Sequence, residues 1–375
     1  MKRHISTFKK NFLANKRLRW KVSLGLFLLV YTIQSIASKC PDAVEIHYSR
    51  TIYPYIIQTL SLFNRLFFFS LAELVVALTA TLITIVIARD IVWISKGRVS
   101  YKEFLSCRLL NLSELLATSF LIFLLIWGLN YARRPLSDNL ALKKRQMSEK
   151  QLEQLCRFLI DQVNRNYCQP PTEFDSKKMA DIYHKIELSY QQNPELIPLS
   201  KVEYGQPKPI ISSHIFTLLG ISGIYSPFTG EPNFNREQPA SELPFSIAHE
   251  KAHQRGFALE DEANFIAFLV CIKSSDAYIR YCGYLMAMRH ILATFYLIDP
   301  EKYKEVVKLI EIGPKEDLRE STAFWNQHHS QLTELSEAIN NSYLKANRVK
   351  SGIDNYDEVV QLLISYYANT FPNNF

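Results

Sequence analysis

Three long apolar runs open the chain, and after about residue 147 polar and apolar positions mix at helical spacing instead. A helix needs about 20 residues to cross a bilayer. The stretches "LFFFSLAELVVALTATLITIVIA" (66–88) and "LLNLSELLATSFLIFLLIWGL" (about 109–130) meet that length. The first run, "VSLGLFLLVYTIQSIA" (22–37), is shorter and carries Thr32, Gln34 and Ser35. Its Ile36-Ala37-Ser38 end is a poor small-x-small cleavage site, which favours an uncleaved anchor over about 22–38.

Beyond the spans, Ser148-Glu149-Lys150-Gln151 is a capping-box pattern opening a helix, and Asp175 opens another through about Tyr190. Pro170, Pro171, Pro194 and Pro198 break the run around them. Between 204 and 245 prolines and glycines make the pattern irregular, and "GISGIYSPF" reads as a short strand or two. Helices are then expected over 245–255, 260–273, 276–297, 300–312, 316–347 and 355–368. The fold class is mainly α: about three transmembrane helices, then a mostly helical domain with a small strand-containing region.

The chain has 375 residues, 48% of them hydrophobic, enough for a sizeable core beside the spans. A formal charge of +7 suggests nucleic acid until it is located. Lys2, Arg3, Lys9, Lys10, Lys16, Arg17, Arg19 and Lys21 crowd the start, directly before an apolar run, which is a topology signal. No basic patch interleaved with aromatics stands out elsewhere, so nucleic acid is not an expected partner. Lys39, Arg50 and Arg65 separate the first two spans, whereas Arg89, Lys96, Arg98, Lys102 and Arg108 separate the second and third. The positive-inside rule therefore puts the N-terminus and the 89–108 loop in the cytoplasm, and the part after residue 130 outside. Arg133 and Arg134 pull weakly the other way. The expected division is a basic cytoplasmic N-terminus (1–21), a membrane region (22–132) and a C-terminal domain (133–375).

Glu73 and Glu114 fall within spans, where hydrogen bonding between helices, or a protonated acid near the interface, is preferred to a functional charge. Six widely spaced cysteines form no CxxC; Cys156 with Cys168, or Cys271 with Cys282, are possible pairs, and buried free thiols are an equal reading.

The chemistry lies in "FSIAHEKAHQRGFALEDEANFIAF" (245–268). On a helix His249 and His253 share a face and aim at one point, the spacing of two zinc ligands. Glu250, on the adjoining face, suits a general base toward a water activated by the metal. Chance alone spells this pattern in about one such chain in seventy. Phe245, Ile247, Ala248 and Ala252 suit a buried helix rather than a solvated one. Gly256 can end the helix and turn the chain back toward the acidic cluster Glu260-Asp261-Glu262, which opens the next helix.

The pattern is similar to the gluzincin metallopeptidases, whose third ligand is a glutamate in an E-x-x-A-D type motif. That resemblance implies Glu260 as ligand and places Asn264 where the family has an aspartate beside a ligand. Glu260 and Asn264 are four apart and share a face, which favours Glu260, with Glu262 as the alternative. A longer similarity is to the bacterial membrane family known as domain of unknown function 3810. It covers "WGLNYARRPL" (127–136), "GIYSPFTGEPNFN" (223–235), "PFSIAHEKAHQRGFALEDEANFIAFL" (244–269) and "RYCGYLMA" (280–287). That family looks like a zinc peptidase group, which implies a zincin-like domain.

The function expected is a membrane-anchored, zinc-dependent metallopeptidase of the bacterial cytoplasmic membrane, with a peptide or protein substrate and lipid around its spans. Zn2+ would sit on His249, His253 and Glu260, and Glu250 would be the base. The alternative is a non-catalytic membrane sensor or assembly protein with a structural zinc, a site normally closed by four ligands and with no need of Glu250. A transporter needs more spans than three. Peptidases of this kind hold substrate beside an edge strand, so "GIYSPFTGEPNFN" either lines the cleft or packs the site helix as a stiff loop. Tyr284, Arg280 and His290 are candidates to stabilise an oxyanion, with a core role the commoner fate of such residues. His328 and His329 read as surface residues.

Overall fold

The computed structural model describes residues 2–96, 101–142, 148–193, 202–349 and 356–370, and side chains within these except 2–17, 102–103 and 356–357. Arg98, Pro194, Pro198 and most of the basic N-terminal side chains lie outside that set.

Three helices are long and apolar enough to cross a membrane: Leu18–Ala37 within α1 (Lys2–Ala37), α4 (Leu71–Ser95), and Phe104–Ile126 within α5 (Tyr101–Ile126). α4 starts later than the apolar run because Ser70 accepts a hydrogen bond from the Glu73 backbone and caps it, leaving 65–70 as a turn. The buried Glu231 carboxylate also accepts from the backbone N–H groups of Leu71 (3.2 Å) and Ala72 (2.9 Å), placing negative charge at the positive end of that helix. α1 packs on α5, where the Arg19 guanidinium meets Glu114 at 2.5 Å and Ser23 bonds Ser113 at 2.6 Å. Glu114 therefore serves a bond between helices. Glu73 instead reaches out of the span: its carboxylate accepts from the backbone of Ile211 (2.7 Å) and Ser212 (2.9 Å).

The segment between the first two spans is helical. A short α2 (Pro41–Ala43) leads into a π-helical stretch, Val44–Ile52, and then α3 (Tyr53–Asn64). Tyr48, Tyr53 and Ile57 from this segment join Phe123, Trp127, Tyr204, Tyr225 and Ala258 in a small core that couples the membrane region to the rest of the chain. After α5, a 3-10 turn (Gly128–Ala132) packs on that core, and α6 (Leu136–Asn139) leads to the main core, which Leu136 joins.

The main core packs amphipathic helices around helices that are buried on nearly all sides. α7 (Glu149–Arg165), opened by the Ser148/Gln151 capping box, buries Leu152, Leu155, Cys156, Leu159, Ile160 and Val163 at the spacing of one helix face. α8 (Ser176–Gln191) is capped by Asp175 as expected. A three-stranded sheet follows in the order β1-β3-β2. β1 (Lys208–Pro209) runs parallel to β3 (Glu231–Phe234), and β2 (Gly223–Ser226) antiparallel to it with Gly223 opposite Phe234. α9 (Ser213–Leu218) lies between β1 and β2. α10 (Leu243–Gln254) packs on β2, β3, α11 (Glu260–Ile272) and α12 (Ala277–Ile298).

α13 (Pro300–Val306), α14 (Ile312–His328), α15 (Gln331–Ala346) and α16 (Tyr356–Thr370) complete the fold. The single helix expected over 316–347 is thus two. His329 is extended and Ser330 caps α15 together with Thr333, a break made by side-chain hydrogen bonding without glycine or proline. All six cysteines are free, with Cys156, Cys271 and Cys282 buried.

Candidate metal centre

α10 carries the two histidines through the middle of the molecule. Pro244 stands in its first turn, where a missing N–H costs nothing, and every other residue from Leu243 to Gln254 is buried apart from the half-buried His249. Burial extends to charge on its far face. Lys251 and Arg255 reach opposite oxygens of Glu187 at 2.7 Å each, and Gln254 donates to the Gly230 carbonyl at 3.0 Å. Burial pushes the Lys251 ammonium down to about 8, while its two cationic partners hold the Glu187 carboxyl well below its usual range despite its own burial.

Gly256 ends α10 with φ of +81°, a left-handed conformation. The N–H of Phe257 bonds the Ala252 carbonyl (3.2 Å) and that of Gly256 bonds His253 (2.9 Å), the two closures of a Schellman turn. The chain thereby reverses within a few residues and starts α11 at Glu260. The membrane-proximal elements clamp this turn. The Trp127 indole donates to the His253 carbonyl (3.0 Å), the Tyr53 hydroxyl to Gln254 (2.7 Å) and the Arg133 guanidinium to Gly256 (2.8 Å). Arg133 also grips the fully buried Glu45 through two bonds, at 2.8 and 2.9 Å, and lies over the Phe257 ring. This is what "WGLNYARRPL" does structurally.

The reversal brings Glu260 against both histidines. His249 Nε2 lies 3.2 Å from one Glu260 oxygen and His253 Nε2 3.6 Å from the other, and one ligand atom from each of the three residues falls within 4.8 Å of the others. Ligands at zinc bond lengths of about 2.0–2.1 Å on a tetrahedron are separated by about 3.3 Å, so the two measured separations are of that size. Both imidazoles have their outer nitrogen occupied. His249 Nδ1 lies 2.8 Å from Asn264 Oδ1, and His253 Nδ1 lies 2.7 Å from the Phe257 carbonyl. With a proton on each Nδ1, the Nε2 lone pairs converge on one point, the arrangement that outer partners impose on metal-binding histidines. The donor set fits zinc. Without a cation, burial opposes charge on His253, but Glu260 outweighs it and raises the imidazole to about 9. Burial likewise opposes ionisation of Glu260, and the histidines hold it far below the usual carboxylate range.

Glu250 borders this cluster. Its Oε2 is buried with no hydrogen-bond partner, and burial pushes the carboxyl up to about 7 against the pull of both histidines, with the Tyr225 N–H donating to it. β2 passes so close that a Cβ on Gly223 would lie 2.7 Å from Glu250 Oε1. Glu250 is thus a buried acid with an idle oxygen close to two imidazoles.

Glu262 faces elsewhere: it accepts from the Leu136 backbone at 2.6 Å and is buried near Arg133 and Glu45. Of the proposed oxyanion groups, Tyr284 packs on Phe268, and Arg280 donates to the Ser274 carbonyl beyond the far end of α11. His290 lies within electrostatic reach of His249 and is lowered to about 4 by burial, then by Arg289 and His249, which keeps it neutral at pH 7. Two tyrosines were not anticipated. The hydroxyls of Tyr131 and Tyr343 hydrogen-bond each other within electrostatic reach of Glu260, and burial raises both far above the usual tyrosine range, so both stay protonated and the pair has one O–H left to donate. Tyr131 sits in a quoted motif, whereas nothing in the sequence near Tyr343 points to the site. His329 is exposed and His328 half-buried, its Nδ1 against the Phe324 carbonyl.

A family model described as protein of unknown function (DUF3810) matches residues 48–364. No curated protein and no solved structure matches the chain.

Proposed function

We propose that this chain, which belongs to the DUF3810 family, is a membrane-anchored zinc-dependent peptidase in which His249, His253 and Glu260 hold the metal and Glu250 is the general base. The observation that carries this reading is the convergence of three ligand atoms beside a buried carboxylate with an unpartnered oxygen. Zinc, when bound, supplies Lewis-acid polarisation of a water and of the scissile carbonyl. Glu250 takes the proton of the attacking water and returns it to the leaving amine. The hydrogen-bonded Tyr131–Tyr343 pair keeps one hydroxyl hydrogen to offer the developing oxyanion. β2 is the edge strand of its sheet and passes directly beside Glu250, which supports alignment of an extended peptide along it.

Among the described residues three ligands converge rather than four, which favours an open site over a structural zinc that only ties helices together. The domain bearing the site is assigned to the extracytoplasmic side of its membrane, on the charge asymmetry of the loops. The test is Glu250→Gln against a quenched-fluorescent peptide library. The variant keeps its metal and loses turnover; unchanged cleavage overturns the mechanism.

A further inference from the structure

The lower face of the domain is marked by what it touches on the three spans. At the end of α1, Arg348 donates to Ser35 (2.6 Å) and Ser38 (3.0 Å) and lies over the Tyr31 ring. At the start of α4, Glu73 holds Ile211 and Ser212, the residues that open α9. At the end of α5, Tyr343 of α15 meets the Phe123 ring with centroids 6.0 Å apart, one turn inside the span. These three points fix the level at which the domain meets the membrane.

α15 runs between them. Its first turn is tied to α9 through Thr333, whose hydroxyl donates to the Leu218 carbonyl at 3.0 Å, and its last turn leads to Tyr343 and Arg348. The first turn thus connects to α4 through α9, and the far end connects directly to α1 and α5, so this 16-residue helix, about 24 Å long, bridges the three span ends. Its outward side chains are apolar in one stripe. Leu332, Leu335, Ile339 and Tyr343 recur at steps of three and four, and Leu335 and Ile339 are 55% and 61% exposed. Glu334, Glu337 and Lys345 lie on other sides of the helix. The same level carries further uncovered apolar groups at the approach to α4, with Phe68 89% and Ile211 68% exposed. Apolar groups left uncovered this near the ends of three spans call for a partner, and the bilayer that holds those spans supplies one.

We propose that α15 is an interfacial helix whose apolar stripe sits in the headgroup–acyl boundary of the bilayer that holds the spans, seating the domain on the membrane together with the Phe68 and Ile211 region. Tyr343 ends this stripe and leads through ring contacts to the site, with centroids 6.2 Å apart to Tyr131, 5.4 Å from Tyr131 to Trp127 and 6.2 Å from Trp127 to His253, which places the candidate site close to the membrane surface. If the peptidase reading holds, its substrate class is a peptide segment lying along or just outside the bilayer, such as the membrane-proximal part of an anchored protein.

Spin labels at single cysteines test the seat in the full chain, reconstituted in phosphatidylethanolamine and phosphatidylglycerol vesicles, with Cys40, Cys107 and Cys168 replaced and the three buried thiols left in place. Collision with apolar oxygen against a water-soluble nickel chelate reads depth. Labels at 335 and 339 collide preferentially with oxygen, and labels at 334 and 345 with nickel. Nickel preference at all four positions overturns the proposal. Repeating the profile in His253→Ala, which removes a zinc ligand, separates the two ideas: the depth profile persists there whether or not the chain binds metal.

Discussion

Replacing Arg133 by methionine strands a buried carboxylate and loosens the turn that sets the site. Glu45 is fully buried, and Arg133 supplies both hydrogen bonds that a bidentate pair allows. Breaking a buried pair from one side costs about 3–5 kcal/mol. Arg50 still reaches Glu45 Oε1 at 2.7 Å, which holds this part near the low end. The Gly256 carbonyl loses a charged donor as well, adding about 1.5 kcal/mol. The sum, about 4.5 kcal/mol, corresponds to a melting point lower by about 9–18 °C at 2–4 °C per kcal/mol for a domain of this size. Glu45→Met added to Arg133→Met removes the stranded charge and brings the melt back to within about 2 kcal/mol of the parent. Arg50, with 38% of its side chain exposed, then turns to solvent. Melts followed by tryptophan fluorescence in one detergent at one scan rate measure both steps. An Arg133→Met protein that melts with the parent, or a double variant no more stable than the single, refutes the role given to this pair.

Gly223→Ala drives a methyl into Glu250, with contacts of 2.7 and 2.8 Å to its side chain and 3.0 Å to the Asn233 carbonyl; turnover is lost while zinc stays, seen by elemental analysis beside a peptide assay. Asn264→Ala frees the His249 ring and weakens zinc by about 10–100-fold in competition with a chelator, whereas Asn264→Asp keeps it. Asp276 caps α12 and pairs with Lys185 at 2.7 Å, so Asp276→Ala lowers stability by about 1 kcal/mol at pH 7. Burial opposes its ionisation, but Lys185 and the Ile279 N–H outweigh it and depress the folded value. The stabilisation from charge is therefore full above the unfolded value of about 3.9 and fades as pH falls through the lower folded one, so melts of parent and variant converge in acid.

The spans were legible because a bilayer demands length and apolarity, both written directly in composition. Their edges were not: Ser70 and Glu231 decide where α4 begins, and Glu231 lies far along the chain. The ligand geometry was legible for a related reason. His249, His253, Glu260 and Asn264 lie on two consecutive helices joined by the Gly256 turn, so periodicity alone predicts their faces. The tyrosines within electrostatic reach of Glu260 and the Glu187 that pairs with Lys251 and Arg255 come from distant segments, and no local pattern announces them. The 44–52 stretch carries its apolar positions on a π-helical winding, which a search at the α-helical period does not detect.

Zinc content decides the central question most directly. In detergent-purified protein, elemental analysis is expected to find about one zinc per chain in the parent and in Glu262→Ala, and none in His253→Ala or Glu260→Ala, in keeping with a three-ligand site. No zinc in the parent after reloading, or zinc kept by Glu260→Ala and lost by Glu262→Ala, contradicts the site.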